Sequence, residues 1–455
     1  MLGHLLPVPI RSAPSRGDLR EPAGRPPRIG RLALGGALAV LLAALGSPTA
    51  LADPASADEV PEHAYRVEGT EVAGGASLAQ APEIGPGIVR DVLEEGATGD
   101  SAVGTAKYYR IGVADGQRVH AAATIAAPPY ADGLPEERES LDVGVDLVTA
   151  QGADCVDGST RSAGETFDGD GPITSARVSA EVGPDGCAGE ALYLRVQRLG
   201  ARDAERPLPV EIQVAIQPAG LGGGAPAVDE EIDDDGASPA APADTEPITP
   251  GRSFATATRV EPGSTVLELQ PGETALLAVD VQEGQRLRWR TEVTALPSEG
   301  SADIGLRVFD AVRGPVVVDG GMWTVHSSAT ISGGGMVAPV DLGNRSSETE
   351  SIRSAWLPGT YTVQLQRRQL PEGAPAAAAE PVRLILTLEV EGEVAEDAAE
   401  GEVLELGDAS PATRRGPLGG DWTAGRIALL AGAGVLGVLG LGTGLAGVLV
   451  LIRRR

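Results

Sequence analysis

Apolar and polar residues alternate with a period of two along much of this chain. Tyr109-Arg110-Ile111-Gly112-Val113 and Val210-Glu211-Ile212-Gln213-Val214-Ala215-Ile216 are clear cases. Such alternation predicts β-strands with one face on a core and the other in water. Gly-Gln and Pro-Gly pairs mark turns between them. The pattern lapses into continuous apolar runs only near the two ends, at Leu32 to Leu45 and at Ile427 to Ile452.

The strand-like pieces recur in the same order. Ala81-Pro82-Glu83-Ile84-Gly85-Pro86-Gly87 matches Ala257-Thr258-Arg259-Val260-Glu261-Pro262-Gly263. Val113-Ala114-Asp115-Gly116-Gln117-Arg118 matches Val281-Gln282-Glu283-Gly284-Gln285-Arg286, and Asp142 to Leu147 matches Asp303 to Val308. Tyr193 aligns with Tyr361, and Pro209 to Val214 with Pro381 to Leu386. Conserved order with drifting offsets is the signature of a duplicated module. Short strands punctuated by turns over about 130 residues predict a β-sandwich of roughly seven or eight strands per copy. The expected fold is therefore all-β: two tandem sandwiches joined by a disordered acidic linker, plus one C-terminal transmembrane helix.

The ends and joints set the boundaries. Residues 1–52 read as a signal peptide, with a basic region, the apolar run and a small-x-small cleavage pattern at Ala50-Leu51-Ala52. Residues 53–80 are expected to be a disordered N-terminal segment, 81–218 the first sandwich and 251–392 the second. Residues 219–250 are rich in Gly, Pro, Ala and acid and read as a flexible linker; 393–426 read as an acidic stalk. Ile427 to Ile452 carries no charge and is long enough to span a bilayer, leaving Arg453, Arg454 and Arg455 as a cytoplasmic tail. This is the layout of a single-pass type I membrane protein with its bulk outside the cell. Gly440 and Gly444 form a G-x-x-x-G through which two such helices would pack as a dimer.

Composition narrows the function. Hydrophobic residues make up 42% of the chain but aromatic ones only 3%, so the cores must be aliphatic. The formal charge of −28 repels nucleic acid, which excludes that class of partner. Lys107 is the sole lysine, a bias consistent with a GC-rich genome. The only cysteines, Cys155 and Cys187, lie outside the membrane in copy one, where a disulfide is the default. Closing that loop stabilises a fold by ~3 kcal/mol.

Candidate chemistry is sparse. Asp154, Asp157, Asp168 and Asp170 crowd the cysteine loop, and Ca²⁺ is the cofactor such oxygens would hold, but the ladder of an EF-hand is missing. Trp289, Trp323 and Trp356 all fall in copy two, either as a glycan-stacking face or as core anchors. Gly333-Gly334-Gly335 reads as a loop, with no lysine after it to cradle phosphate. His120 and His326 lack the nucleophile signature of a hydrolase. No catalytic residue, and no enzyme, is assigned.

Tyr108-Tyr109-Arg110-Ile111, Gly116-Gln117-Arg118-Val119 and Pro358-Gly359-Thr360-Tyr361-Thr362-Val363 resemble the bacterial pre-peptidase C-terminal (PPC) domain. The layout also resembles actinobacterial membrane-anchored surface proteins whose sandwiches are related to domains accompanying von Willebrand factor A (VWA) proteins. The chain itself lacks the D-x-S-x-S metal motif of a VWA domain. The resemblance implies a secreted β-sandwich that accompanies catalysts without being one. The expected function is thus a non-catalytic module on the cytoplasmic membrane that meets another envelope protein. The alternatives are a glycan- or calcium-binding surface module, and a secreted-type peptidase.

Overall fold

The structure is a computed structural model that describes residues 60–407, except 98–102, 157–160, 164–169, 185–186, 222–223, 234, 319–321, 327, 329, 397 and 399–402. The expected signal peptide with Ala50 and Ala52, the expected span Ile427–Ile452, Gly440, Gly444 and Arg453–Arg455 lie outside the described residues. No helix among those described is long and apolar enough to cross a membrane.

Sixteen principal strands carry the fold. Copy one supplies β1 (Glu83–Ile84), β2 (Gly87–Leu93), β3 (Val103–Gly112), β4 (Arg118–Ala126), β5 (Asp142–Val148), β6 (Pro172–Val178), β7 (Ala191–Leu199) and β8 (Leu208–Gln217). Copy two supplies β9 (Thr258–Arg259), β10 (Gly263–Leu269), β11 (Thr274–Val281), β12 (Arg286–Ala295), β13 (Ala302–Phe309), β14 (Ile331–Gly335), β15 (Gly359–Arg367) and β16 (Val382–Glu391). Copy one pairs them as β2-β8-β4-β6 in one sheet and β1-β3-β7-β5 in the other. Copy two repeats both orders, as β10-β16-β12-β14 and β9-β11-β15-β13. Even the short parallel entry strand is repeated, β1 on β3 and β9 on β11. The duplication expected from the sequence is therefore a duplication of topology.

Matched residues do matched work. Gly116 and Gly284 take φ of +81° and +88°, which a side chain would resist, and turn the chain into β4 and β12. Beside them the Oε1 atoms of Gln117 and Gln285 accept from the N–H groups of Ala114 and Gln282. Arg198 and Arg367 are both fully buried near the ends of β7 and β15. Arg198 donates to the carbonyls of Leu93, Arg202, Asp203 and Arg206; Arg367 donates to those of Leu269, Ala378 and Glu380. Each clasps the loop that precedes the last strand of its copy.

One alignment needs correcting by a residue. Leu192 pairs with Ile111 and Tyr361 with Val279, so Leu192, not Tyr193, is the equivalent of Tyr361. Tyr361 is buried, with its hydroxyl on the Leu357 carbonyl, while Tyr193 is half-buried on the other face. Side chains alternate faces along a strand, so a slip of one reverses inside and outside.

The two sandwiches are not separate beads. β3, β7 and β12 alternate buried with half-buried positions, as one wet face requires. β4, β8, β11 and β15 are buried at nearly every residue. The β2-β8-β4-β6 sheet of copy one lays its outer face on the β9-β11-β15-β13 sheet of copy two, giving four stacked layers. Ala126 packs with Leu276 and Phe309 across this seam, and Ala215 packs with Val312, Trp356 and Leu357. Gln213 Nε2 donates to the Ala311 carbonyl at 2.9 Å, and Gln366 Nε2 to the Asp170 carbonyl at 2.7 Å. The polar positions of the β8 alternation thus face protein rather than water.

The segments expected to be free are docked where they are described. Tyr65 is buried against Phe254, and Thr70–Glu71 extends the β2 sheet in parallel. Described residues within 224–250 form a strap across the outer sheet of copy two. Ile232 N–H reaches the Val337 carbonyl, Ala237 N–H the Trp289 carbonyl and Ile248 N–H the Val266 carbonyl. Arg288 Nη2 donates to the Gly236 carbonyl at 2.7 Å. The strap crosses at Gly333 and Gly334, which lie on β14 rather than in a loop. A Cβ on Gly236 would come within 2.5 Å of the Trp289 carbonyl oxygen and 2.7 Å of Gly334 N. Of the stalk, Glu405 exchanges both backbone hydrogen bonds with Ile216, and Leu404 and Leu406 are buried beside Trp356. Low hydrophobicity did not keep these segments loose because strand edges and sheet faces satisfied their backbone groups.

At the centre of the seam Arg313 of copy two meets Glu211 of β8, with Nη2 and Oε1 2.5 Å apart and both side chains at most 2% exposed. Replacing Arg313 with Ala strands a buried carboxylate and should cost about 3–5 kcal/mol in urea denaturation. Glu211→Gln with Arg313→Met should lose much less. A cost under ~1 kcal/mol for Arg313→Ala would show that the seam does not depend on the pair.

Candidate functional site

Cys155 and Cys187 form the expected disulfide, with Cα atoms 5.6 Å apart, and both pack into the core of copy one. The two described carboxylates of that loop do not lie together. Asp154 is exposed, whereas Asp170 is fully buried in the seam between the copies. Asp157 and Asp168 lie outside the described residues. Among the described residues no group of three or more His, Cys, Asp or Glu is placed to hold a metal ion.

Asp170 belongs to the seam. Its Oδ2 accepts from Gln369 N–H at 2.9 Å and its carbonyl from Gln366. Burial raises its carboxyl above the usual aspartate range, and the Gln369 N–H and the Arg202 charge only partly offset this. Arg202 itself stacks over the Tyr130 ring at 3.9 Å.

The tryptophans do not share an exposed face. Trp289 sits at 0% exposure in the core of copy two, and Trp356 at 3% in the seam. The side chain of Trp323 lies outside the described residues. A glycan platform needs ring faces open to solvent, so Trp289 and Trp356 are corrected from stacking candidates to packing residues.

A polar cluster that the sequence reading missed lies inside copy one. Asp91 on β2 accepts from Lys107 Nζ at 2.9 Å, Tyr109 hydroxyl at 2.6 Å, and the N–H groups of Gly74 and Val92, each at 2.7 Å. Lys107 also meets Glu94 at 3.0 Å. Burial alone would raise the Asp91 carboxyl, but these four donors outweigh it and hold the group below its ordinary value. Copy two has Leu267, Ala275 and Leu277 at the equivalent positions, all apolar. The signal available in the sequence was one lysine in the whole chain on an inward strand position.

A small cleft of about 30 Å³ draws walls from both copies at the seam. Copy one contributes His120 from β4 and Ala176, Arg177 and Val178 from β6; copy two contributes Asp310, Val312, Gly314, Arg345, Arg353 and Trp356. His120 stacks on Trp356, with ring centroids 5.5 Å apart and planes 18° from parallel. Arg345 lies 5.0 Å over the same indole. Gln217 ties them together. Its Nε2 donates to the Leu221 carbonyl, which turns Oε1 toward Arg345 Nη1 at 2.5 Å and His120 Nε2 at 3.0 Å. With the amide so oriented, His120 Nε2 must carry the proton and donate. Asp310 is clasped by its own loop, Oδ1 accepting from Val312 N–H at 3.0 Å and Gly314 N–H at 2.7 Å. His120 is thus a stacking and hydrogen-bonding residue of the cleft wall. His326 is exposed at the end of the Met322–Val325 strand.

No family model matches the chain, and no curated protein does. Among solved structures it is similar to the tandem CBM22 domain of Paenibacillus barcinonensis Xyn10C, at 10% identity over 74% of this chain and 95% of that one, with a TM-score of 0.18. The ANX1 ectodomain from Arabidopsis thaliana matches at 6% identity over 66% and 83%, with a TM-score of 0.17. An anti-sigma factor domain-containing protein matches at 8% over 68% and 90%, with a TM-score of 0.15. Likeness at this level carries no argument about this chain.

Asp91 and Asp170 should answer acid in opposite directions. Asp91 titrates below its unfolded value in the folded state, so its contribution is present above about pH 4 and is lost as pH falls through its folded pKa. Asp170 titrates above its unfolded value, so its burial penalty is relieved as pH falls through its folded pKa toward about 4. Urea denaturation across this range should show Asp170→Asn abolishing a gain in stability on mild acidification. Asp91→Asn should instead blunt the loss at lower pH. Identical pH profiles for wild type and both variants would refute these assignments.

Proposed function

We propose that the chain is a non-catalytic, membrane-anchored extracytoplasmic module, whose two sandwiches act as one rigid body and receive a ligand or envelope partner in the cleft between them. The observation that carries this reading is the origin of the cleft walls. His120 and Gln217 come from one copy and Arg345 and Trp356 from the other, so the site exists only while the copies are stacked. Sites of this kind favour domain boundaries, where two preformed surfaces enclose a concavity.

The remaining features support an anchored setting. A disulfide in copy one suits an oxidising compartment. The Ile427–Ile452 run has the length and apolarity of a span, and three arginines follow it. The PPC resemblance fits a module that accompanies a catalyst. A partner in the envelope would meet the cleft or the strap-covered sheet of copy two.

Fractionation and protease shaving test the reading. The full chain should remain with membranes after alkaline carbonate, and protease added to intact cells should remove the sandwiches. A chain ending at residue 426 should appear in the medium. Recovery of the full chain in the cytosol, or complete protection from external protease, would overturn the reading.

A further inference from the structure

The duplication leaves one strand edge filled in copy one and open in copy two. In copy one the N–H and carbonyl of Val119 turn toward Ser179, so Ile216 beside it on β8 presents its own backbone groups to the opposite side. β2 begins at Gly87, opposite Val214, and does not reach Ile216. Glu405 takes the place and exchanges both hydrogen bonds with Ile216, at 3.0 and 2.9 Å. Gly407 then passes so close to the Pro86 carbonyl that a side chain there would strike it.

Copy two repeats the edge without the occupant. Leu287 turns its N–H and carbonyl toward Met336, so Val390 beside it on β16 presents its own to the opposite side. β10 begins at Gly263, opposite Leu388, and does not reach Val390. Among the described residues none takes that N–H or that carbonyl. An unpaired strand edge is a template for another extended chain.

A groove of about 360 Å³ lies along this edge. Val260, Pro262, Val390 and Val394 form its apolar wall, and Val394 is 51% exposed. A residue paired with Val390 shares its face of the sheet and so places its side chain in the groove. Most of the polar lining is committed elsewhere: Arg259 donates twice to Asp280, and Gln285 Oε1 accepts from Gln282 N–H. Glu261 is exposed and has no ion-pair partner among the described residues. Exposed Glu393 and Glu396 lie on either side of Val394 in the chain. A cation on a long apolar stem suits such walls, and the formal charge of −28 draws basic partners from a distance.

We propose that the Val390 edge binds an extended basic segment of a partner protein, which adds to β16 as Glu405 adds to β8 and lays a lysine or arginine side chain toward Glu261. This rests on the reading of the chain as a module that meets a partner, and deepens it by naming the edge and the backbone chemistry of the meeting. The cleft takes no part in it.

Fluorescence anisotropy with the purified full chain in detergent tests it. The probe is a labelled peptide of alternating valine and threonine with lysine at its centre and both ends. It should bind saturably below ~1 mM. N-methylation of the central residue, which removes its backbone donor, should weaken binding about tenfold or more. Glutamate in place of every lysine should weaken it about threefold or more. Val390→Pro removes the N–H at an edge position, where proline is tolerated, and should cost about fivefold or more. Glu261→Gln, a change at an exposed side chain, should cost about threefold. Should Val390→Pro lower the unfolding temperature, the N-methylated peptide and Glu261→Gln decide. Amide hydrogen exchange of the free chain should be at least about tenfold faster at Val390 than at Ile216, and should slow at Val390 when the peptide binds. Absence of saturable binding up to ~1 mM overturns the proposal. So do equal affinity for the N-methylated peptide, tighter binding of the glutamate peptide, or a Val390 amide already as protected as Ile216. None of these outcomes bears on the membrane fractionation, so the two readings fail separately.

Discussion

The buried pair between Glu211 and Arg313 is the contact on which the arrangement of the two sandwiches turns. Both charges are withdrawn from water, a step that costs several kcal/mol per ion unless the partner and extra hydrogen bonds compensate. For Glu211 the compensating hydrogen bonds come from a third element, whereas Arg313 has the ion pair and an aromatic face but no well-formed hydrogen bond among the described residues. The Tyr65 hydroxyl donates to Glu211 Oε1 at 3.1 Å and Glu68 N–H to Oε2 at 2.5 Å, while Phe254 lies under the Arg313 guanidinium at 4.6 Å. The N-terminal segment, copy one and copy two therefore meet at one point. A pair of this kind adds less net stability than a hydrophobic substitute would, but it penalises any other register of the two sheets by leaving a bare charge. The cleft inherits its geometry from that register, because its walls belong to opposite sides of the seam.

Duplication explains why the seam joins these two faces and why stacking stops at two. The copies associate head to tail, the β2-β8-β4-β6 sheet of one against the β9-β11-β15-β13 sheet of the other. These faces are not equivalent, and a heterologous contact of that kind can propagate indefinitely. Both free faces are chemically unsuited to continue it. The outer face of copy one carries Arg195, Asp146 and Gln197 in a hydrogen-bonded group. The outer sheet of copy two carries the pairs Arg286–Glu391, Arg288–Glu389 and Arg383–Glu268, and the 224–250 strap lies across it. By contrast, away from the Glu211–Arg313 pair the faces inside the seam include Ala122, Thr124, Ala126 and Ala215 on one side and Leu276, Ala278 and Thr362 on the other, uncharged side chains.

The same divergence relocates polarity within the copies. Asp91, Lys107 and Tyr109 give copy one a polar interior where copy two has leucines and alanine, and the cluster holds the backbone of Gly74 in the N-terminal segment. The C-terminal side behaves similarly: Leu404 and Leu406 pack beside Trp356 and Leu357. The chain leading toward the apolar run at 427–452 is thus seated next to the wall of the cleft.

Much of the architecture was legible from residues alone. Period-two alternation, turn glycines and the ordered repeat were enough for two β-sandwiches with matching strands, because local pattern reports which side chains share a core. The disulfide followed from two cysteines and no others. What alternation does not report is the fate of the opposite face. Glu211, Gln213 and Gln217 are spaced like solvent-facing residues, and whether water or another sheet lies there depends on a partner more than 90 residues away in Ala311, Arg313 or Arg345. Composition likewise predicted free joints at 53–80, 219–250 and 393–426. It measures how little apolar surface a segment brings, not whether nearby strand edges can satisfy its backbone. The cleft was invisible for the same reason, since His120 and Trp356 are 236 positions apart and neither belongs to a motif. Sequence determined the modules through local periodicity; only tertiary packing decided the seam, the strap and the site, because each depends on which surfaces meet after the strands have formed.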